Sequence, residues 1–202
     1  MSLLVIDTAT EAHSVALLDG GAVLAFHHEI LSRGHAEALM PAVAAVMGDR
    51  VPDAILVDIG PGSFTGLRIG IAAARALALA WGVPVQGYHS LSLIAAPVFA
   101  ATPGLARLQI VAEAGRGQLY VATLARDLLL AAEPHALDAA GAAAMLDAAL
   151  PVAGPGARRL PGAFTVLADA WPDARHAALL PAPARSLRPQ PLYVRPPDAV
   201  AA

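Results

Sequence analysis

The order of elements legible in the first half of this 202-residue sequence, β-β-β-α-β-α-β-α, predicts an α/β fold of two related lobes. Three observations carry the expectation. The chain opens with two apolar strands joined by a short polar turn and followed by a glycine hairpin signal. A glycine-rich loop, Asp58-Ile59-Gly60-Pro61-Gly62-Ser63-Phe64-Thr65-Gly66-Leu67-Arg68-Ile69-Gly70, then separates an apolar run from a strongly helix-forming one. After residue 102 the opening pattern returns. An apolar strand, an acidic residue (Asp7, then Glu113), a small-residue turn and a second strand suggest a duplication whose second copy has degenerated.

Strands are expected at Ser2–Thr8 and His13–Leu18, joined by the turn Ala9-Thr10-Glu11-Ala12. Asp19-Gly20-Gly21 gives a hairpin signal into a third strand, Ala22–Glu29. Gly34–Met47 reads as a helix bent or restarted at Pro41. Ala54–Ile59 reads as a buried strand, and Leu67–Trp81 as a helix ended by Gly82 and Pro84. A strand at Val83–Gly87 and a helix at Ser90–Ala101 complete a first lobe of residues 1–102. Thr102-Pro103-Gly104 marks the boundary to a smaller lobe, 103–202. There, Leu108–Ala114 and Gln118–Leu124 flank Gly115-Arg116-Gly117, Ala136–Leu150 reads as a helix, and Leu192–Arg195 as a closing strand.

Composition narrows the function. A hydrophobic content of 57 % with 14 % charged residues excludes global disorder. There is no cysteine, so disulfides, thiol nucleophiles and thiolate metal sites are excluded. All 13 basic residues are arginine, which removes lysine chemistry. No leader is expected, because the first apolar segment contains Asp7 and Glu11, and a soluble cytoplasmic protein is the default expectation. Net charge is −3, and residues 1–100 hold four arginines against eight carboxylates, so direct RNA binding by the chain alone is not expected.

The motifs tested against the sequence mostly fail. The glycine loop before a helix suggests a phosphate cradle. However, Gly66 is followed by Leu67-Arg68 rather than by Lys-Ser/Thr, and Thr65 stands where a dinucleotide fingerprint needs its third glycine. A nucleophile elbow fails at the same Thr65. Ser63 and Thr65 are better explained as hydroxyls capping the following helix. Asp7, Thr8 and Thr10 sit in a turn after a strand, where they could face a phosphate or Mg²⁺. His28-Glu29 begins a zinc-protease pattern that Ser32 breaks, and His35 has Leu39 one turn later, so no metal site is expected. The two first-lobe helices are apolar on more than one face, which favours an obligate protein partner over a catalytic centre.

These residues resemble the TsaB family (formerly YeaZ) of the bacterial tRNA threonylcarbamoyladenosine system. The resemblance rests on Leu3-Leu4-Val5-Ile6-Asp7-Thr8-Ala9-Thr10, Ser14-Val15-Ala16-Leu17 and His35. It rests most on Gly60 through Gly70, and also on Pro191-Leu192-Tyr193-Val194-Arg195. It implies an ASKHA-type fold, the actin, sugar-kinase and Hsp70 architecture, with a degenerate second lobe. It also implies a catalytically inactive paralogue that scaffolds the transferase TsaD, is joined by TsaE, and meets tRNA only through the complex. The implied partner surface comprises His35, Leu39, Val43 and Val46 on the first helix with Arg68, Ile69, Ala72, Ala73, Ala76 and Leu77 on the second. Self-association through the same helices is expected in the partner's absence. Nucleotide or loop contacts would fall on Asp7, Thr8, Thr10, Gly60, Gly62, Ser63, Thr65 and Gly66, with ATP or ADP only at an interface shared with partners. The family often carries a basic residue before Gly-Pro-Gly, where this chain has Asp58-Ile59. The family's Asp-Ala-Arg is here Glu113-Ala114-Gly115-Arg116. Two alternatives compete: an independent small ASKHA-type ATPase or kinase using Asp7, Thr8 and the loop, and a metal-dependent peptidase.

Overall fold

Strand β1 (Ser2–Asp7) lies at the centre of the first sheet, between β2 (Ala12–Asp19) and β4 (Ala54–Asp58). The computed structural model describes residues 1–162 and 164–194. With β3 (Ala22–Ile30) and β5 (Val85–Tyr88) at the edges, the sheet order is β3-β2-β1-β4-β5. The β1–β2 and β2–β3 pairs are antiparallel, whereas β4 and β5 run parallel to β1. Helices α1 (His35–Met47) and α2 (Phe64–Trp81) cover one face, packing on Leu4, Ile6, Val15, Leu17, Ile55 and Val57. Period-two alternation sends Val5, Ala16, Leu18 and Leu56 to the other face, against α3 (Ser90–Ala101).

A second sheet is built from β6 (Arg107–Gly115), β7 (Gln118–Ala125), β8 (His135–Leu137), β9 (Val152–Ala153) and β10 (Val166–Ala168). Its order is β10-β9-β6-β7-β8. Leu108, Ile110, Ala112 and Tyr120 from its inner face join the core formed by α3 and the first sheet. The opposite face, with Val111, Leu119 and Val121, is covered by α4 (Ala139–Met145). The layers therefore run helix pair, sheet, α3, sheet, short helix.

Several expectations need correction. Helix α2 begins at Phe64, three residues before Leu67, because Ser63 accepts a hydrogen bond from the Gly66 amide and fixes the N-cap there. Helix α1 runs through Pro41 without restarting, and Gly34 caps it in the left-handed region at φ 96°. The helix expected over Ala136–Leu150 is only α4, because residues 135–137 pair with β7 and the Asp138 carboxylate caps the Gly141 amide. Leu192 to Val194 form no strand. The Leu192 amide instead donates to Ile59 O at 2.7 Å, and Arg195 lies outside the described residues. Helix α2 is long and apolar enough to cross a membrane by composition, yet it packs Gly66, Leu67, Gly70, Ile71, Ala74 and Ala78 inward as a core helix does.

Those glycines fix how closely α2 approaches the sheet. A Cβ at Gly66 would stand 2.1 Å from Thr8 O, one at Gly62 2.3 Å from Ala9 O, and one at Gly70 2.6 Å from Thr8 Oγ1. Gly66→Ala should therefore destabilise the fold by about 1–3 kcal/mol through overpacking, outweighing the roughly 1 kcal/mol that alanine contributes to a helix. Gly104→Ala, with open space around its Cβ, should stay within about 0.5 kcal/mol. Urea unfolding of the two variants beside the parent checks the sign.

Candidate functional site

At the carboxyl end of the parallel strands, the glycine loop and the turn after β1 are packed directly on one another. The Ser63 amide donates to Ala9 O at 2.6 Å, and Thr8 Oγ1 donates to Gly66 O at 2.8 Å. The Gly60 amide donates to Asp58 Oδ1 at 2.7 Å. The loop's carbonyls are occupied as well. Pro61 O accepts from Ser90 Oγ, Gly62 O from Tyr120 Oη of the second sheet, and Gly60 O lies 2.9 Å from His89 Nδ1. The chain's own Thr8–Ala9 backbone thus packs directly against the glycines of this loop.

Beneath this loop lie three buried acids. Asp7, Asp58 and Tyr88 end β1, β4 and β5, and period-two alternation places all three on the same face. Tyr88 Oη donates to Ile6 O at 3.0 Å and to Asp7 Oδ2 at 3.2 Å. Asp7 Oδ1 and Asp58 Oδ2 have no other partner, and the two carboxyls are within hydrogen-bonding reach of each other. Burial pushes Asp7 up to about 7. Burial, then the neighbouring Asp7 charge, pushes Asp58 well above the usual carboxylate range. Two carboxylates this close in a dry site cannot both ionise, so the pair shares a proton at neutral pH.

Above the loop, a cleft of about 690 Å³ opens between the two sheets. Thr10, Gly62, Ser63 and Thr65 line it, together with Glu11, His35, Phe64, Arg68, Glu113, Arg116, Trp171 and Tyr193. Arg68 stacks on the Phe64 ring at 3.8 Å and donates from Nε to Tyr193 Oη at 3.1 Å, closing one wall. Charges of both signs and four aromatic rings, with Tyr120 among them, suit the cleft to a polar ligand or an inserted partner segment. It holds no lysine or cysteine nucleophile, and Ser63 Oγ is engaged as a cap.

The expected contact residues separate on this geometry. Thr10, Gly62, Ser63 and Thr65 reach the cleft. Asp7, Thr8, Gly60 and Gly66 do not line it, and Asp7 and Thr8 are spent on partners within the core. Of the expected partner surface, Leu39, Val43 and Val46 are corrected outright. Each is no more than 3 % exposed, because the sheet takes that stripe of α1. Arg68, Ala72 and Ala76 face outward, while His35, Ile69, Ala73 and Leu77 are half-buried. Sequence reasoning missed Asp58 as a partner of Asp7, Tyr88 beneath them, and the cleft residues Glu11, Trp171 and Tyr120. The parallel register of β1 and β4 is the signal for the first, since it sets their last residues side by side.

The carboxyl pair makes stability depend on pH. A carboxyl held at about 7 in the fold and about 4 when unfolded stabilises the fold below pH 4, and that stability is lost as pH rises through 7. Asp58→Asn keeps the bond to the Gly60 amide and offers Asp7 an N–H donor. Asp7 stays buried in the variant, so its stability should still fall as pH rises from 5 to 8, but by less than the parent's, because the second buried carboxyl is gone. Thermal unfolding of both proteins at pH 5 and pH 8 measures the difference.

A family model described as "TsaD: tRNA N6-adenosine threonylcarbamoyltransferase" matches residues 25–157. The tRNA threonylcarbamoyladenosine biosynthesis protein TsaB of Escherichia coli K12 is 39 % identical over 132 residues, 63 % of this chain. The aligned segment is 56 % of that protein, so the chain spans little more than half the length of this curated relative. Among solved structures, YeaZ from Pseudomonas aeruginosa superposes with a TM-score of 0.71 at 30 % identity, over 88 % of this chain and 89 % of that one. A second structure, an uncharacterized protein with similarity to peptidase YeaZ from the same organism, gives a TM-score of 0.76 at 30 % identity. It covers 96 % of this chain and 99 % of the other. Two mixed sheets with this helix arrangement are the fold shared with these YeaZ structures, and the chain belongs to the TsaD-type family and, within it, to the TsaB/YeaZ group.

Proposed function

We propose that the chain is a catalytically inactive scaffold that pairs with a TsaD-type transferase to place threonylcarbamoyl groups on tRNA adenosine beside the anticodon. The carrying observation is the outward face of α1 and α2. Exposed Met40, Ala44 and Ala45 lie on one helix and exposed Ala72 and Ala76 on the other, with half-buried Ile69, Ala73 and Leu77 also on α2. A surface of small side chains on two packed helices lets another helix pair approach closely, and apolar area left open in this way marks an interface. The filled glycine loop and the inward-facing Asp7 support a subunit without phosphoryl chemistry of its own. On this reading the protein works in the cytoplasm, TsaE joins the pair, and tRNA is met through the complex. Any ATP or ADP sits in the cleft between the sheets, shared with a partner.

The test mixes the purified chain with the TsaD protein of the same organism and measures mass by size exclusion with light scattering. A heterodimer should form at micromolar concentration and be lost when Ala72 and Ala76 are both changed to glutamate, which buries two unpaired charges. Absence of a complex, or a complex indifferent to both glutamates, would remove the scaffold reading. ATP hydrolysis by the chain alone that Asp7→Ala abolishes would replace it with an ATPase.

A further inference from the structure

We propose that His13, His27 and Glu29 form a binding site for a divalent transition metal of the Zn²⁺ class. The site lies on the β2–β3 hairpin where the N-terminus of α1 covers it. It is separate from the carboxyl pair and independent of the partner reading. Register builds it: His13 on β2 stands directly opposite Glu29 on β3, and His27 lies two residues along β3 on the same face. His27 Nε2 is 2.9 Å from Glu29 Oε1, His13 Nδ1 is 3.8 Å from it, and the three donor atoms lie within 4.8 Å of one another. Zn–N and Zn–O bonds of about 2.0–2.2 Å in a tetrahedron put donor atoms about 3.3–3.5 Å apart, so changes of up to about 1.5 Å in donor spacing, within the reach of side-chain rotation, would seat the ion.

The second observation is the state of His13. Its side chain is wholly buried, and neither ring nitrogen has a hydrogen-bond partner. A buried polar ring with no partner is costly, and metal coordination is one of the few arrangements that satisfies it. His35, the first residue of α1, lies over the His13 ring at 5.6 Å between centroids, and its Nδ1 is also without a partner. Two imidazoles and one carboxylate suit Zn²⁺ and its first-row neighbours, whereas Ca²⁺ and Mg²⁺ prefer all-oxygen sets. Half-exposed His27 and Glu29 leave a solvent-side position open for water. His28, next to His27, points to the opposite face, where it meets Ser14 and Asp173 and takes no part.

The experiment titrates tag-free, full-length protein with Zn²⁺ against a chromophoric chelator, and separately with Co²⁺, read by its visible absorption. One equivalent should bind. His27→Gln and Glu29→Gln, both at half-exposed positions, should each weaken binding at least about tenfold while unfolding at the parent temperature in chelator. Zn²⁺ should raise the melting temperature of the parent and not of these variants, and His28→Gln should bind as the parent does. No stoichiometric binding, binding indifferent to both ligand variants, or binding lost in His28→Gln would overturn the site.

Discussion

The contact between the Thr8–Ala9 backbone and the glycines of α2 sets the geometry of the first lobe. Thr8 O and Ala9 O lie where Cβ atoms at 66 and 62 would be, so only hydrogen can occupy those positions. Close approach lets Ser63 donate to Ala9 and Thr8 to Gly66, which fixes the start of α2 against the end of β1. Once that end is fixed, the helical period decides the rest. Leu67, Ile71, Ala74 and Ala78 turn to the sheet, and Arg68, Ala72, Ala76 and Leu79 turn out. Arg68 then meets Phe64 and Tyr193 at the mouth of the cleft, while Arg75 donates to Pro189 O and ties the C-terminal segment to the same helix.

The place this contact occupies is where open α/β sheets receive ligands, at the carboxyl ends of parallel strands. In this chain the place is sealed. Asp7 and Asp58 hold a proton between them below the loop, and Tyr88 closes the third side. The one proton they share spares the core a second buried negative charge, and Tyr88 donates to the carboxyl of Asp7. In the cleft above, Tyr120 reaches across from the second sheet to Gly62 O and lines the wall between the sheets. Polar chemistry is thus divided between a closed layer that stabilises the fold and an open layer that can meet a partner.

How much of this was legible in the sequence depended on whether a local rule decided the outcome. Ser63 as a cap, Gly82 as a helix stop and the Asp19-Gly20-Gly21 hairpin follow from short-range chemistry, and the structure keeps them. The Ala136–Leu150 run misled because alanine propensity carries no information about the pairing of residues 135–137 with β7. Leu39, Val43 and Val46 misled because apolarity does not tell a helix which side its sheet will take. The histidine cluster was hidden by one residue. Register shifts between Leu17 and Leu18, so that Leu18 pairs with Val23 but Leu17 with Ala25. Without that bulge His13 would face His28, and Glu29 would turn to the other side. Nothing in the local sequence announces it.

The most direct test of the central contact is amide hydrogen exchange of residues 60–70 by NMR, with and without Mg²⁺-ATP. If the chain's own backbone fills the loop, the Ser63 amide exchanges only with global unfolding, and its protection and chemical shift are unchanged by nucleotide. Fast exchange at Ser63, or shifts and added protection across 60–66 on adding nucleotide, would show a loop that opens to phosphate and contradict the account.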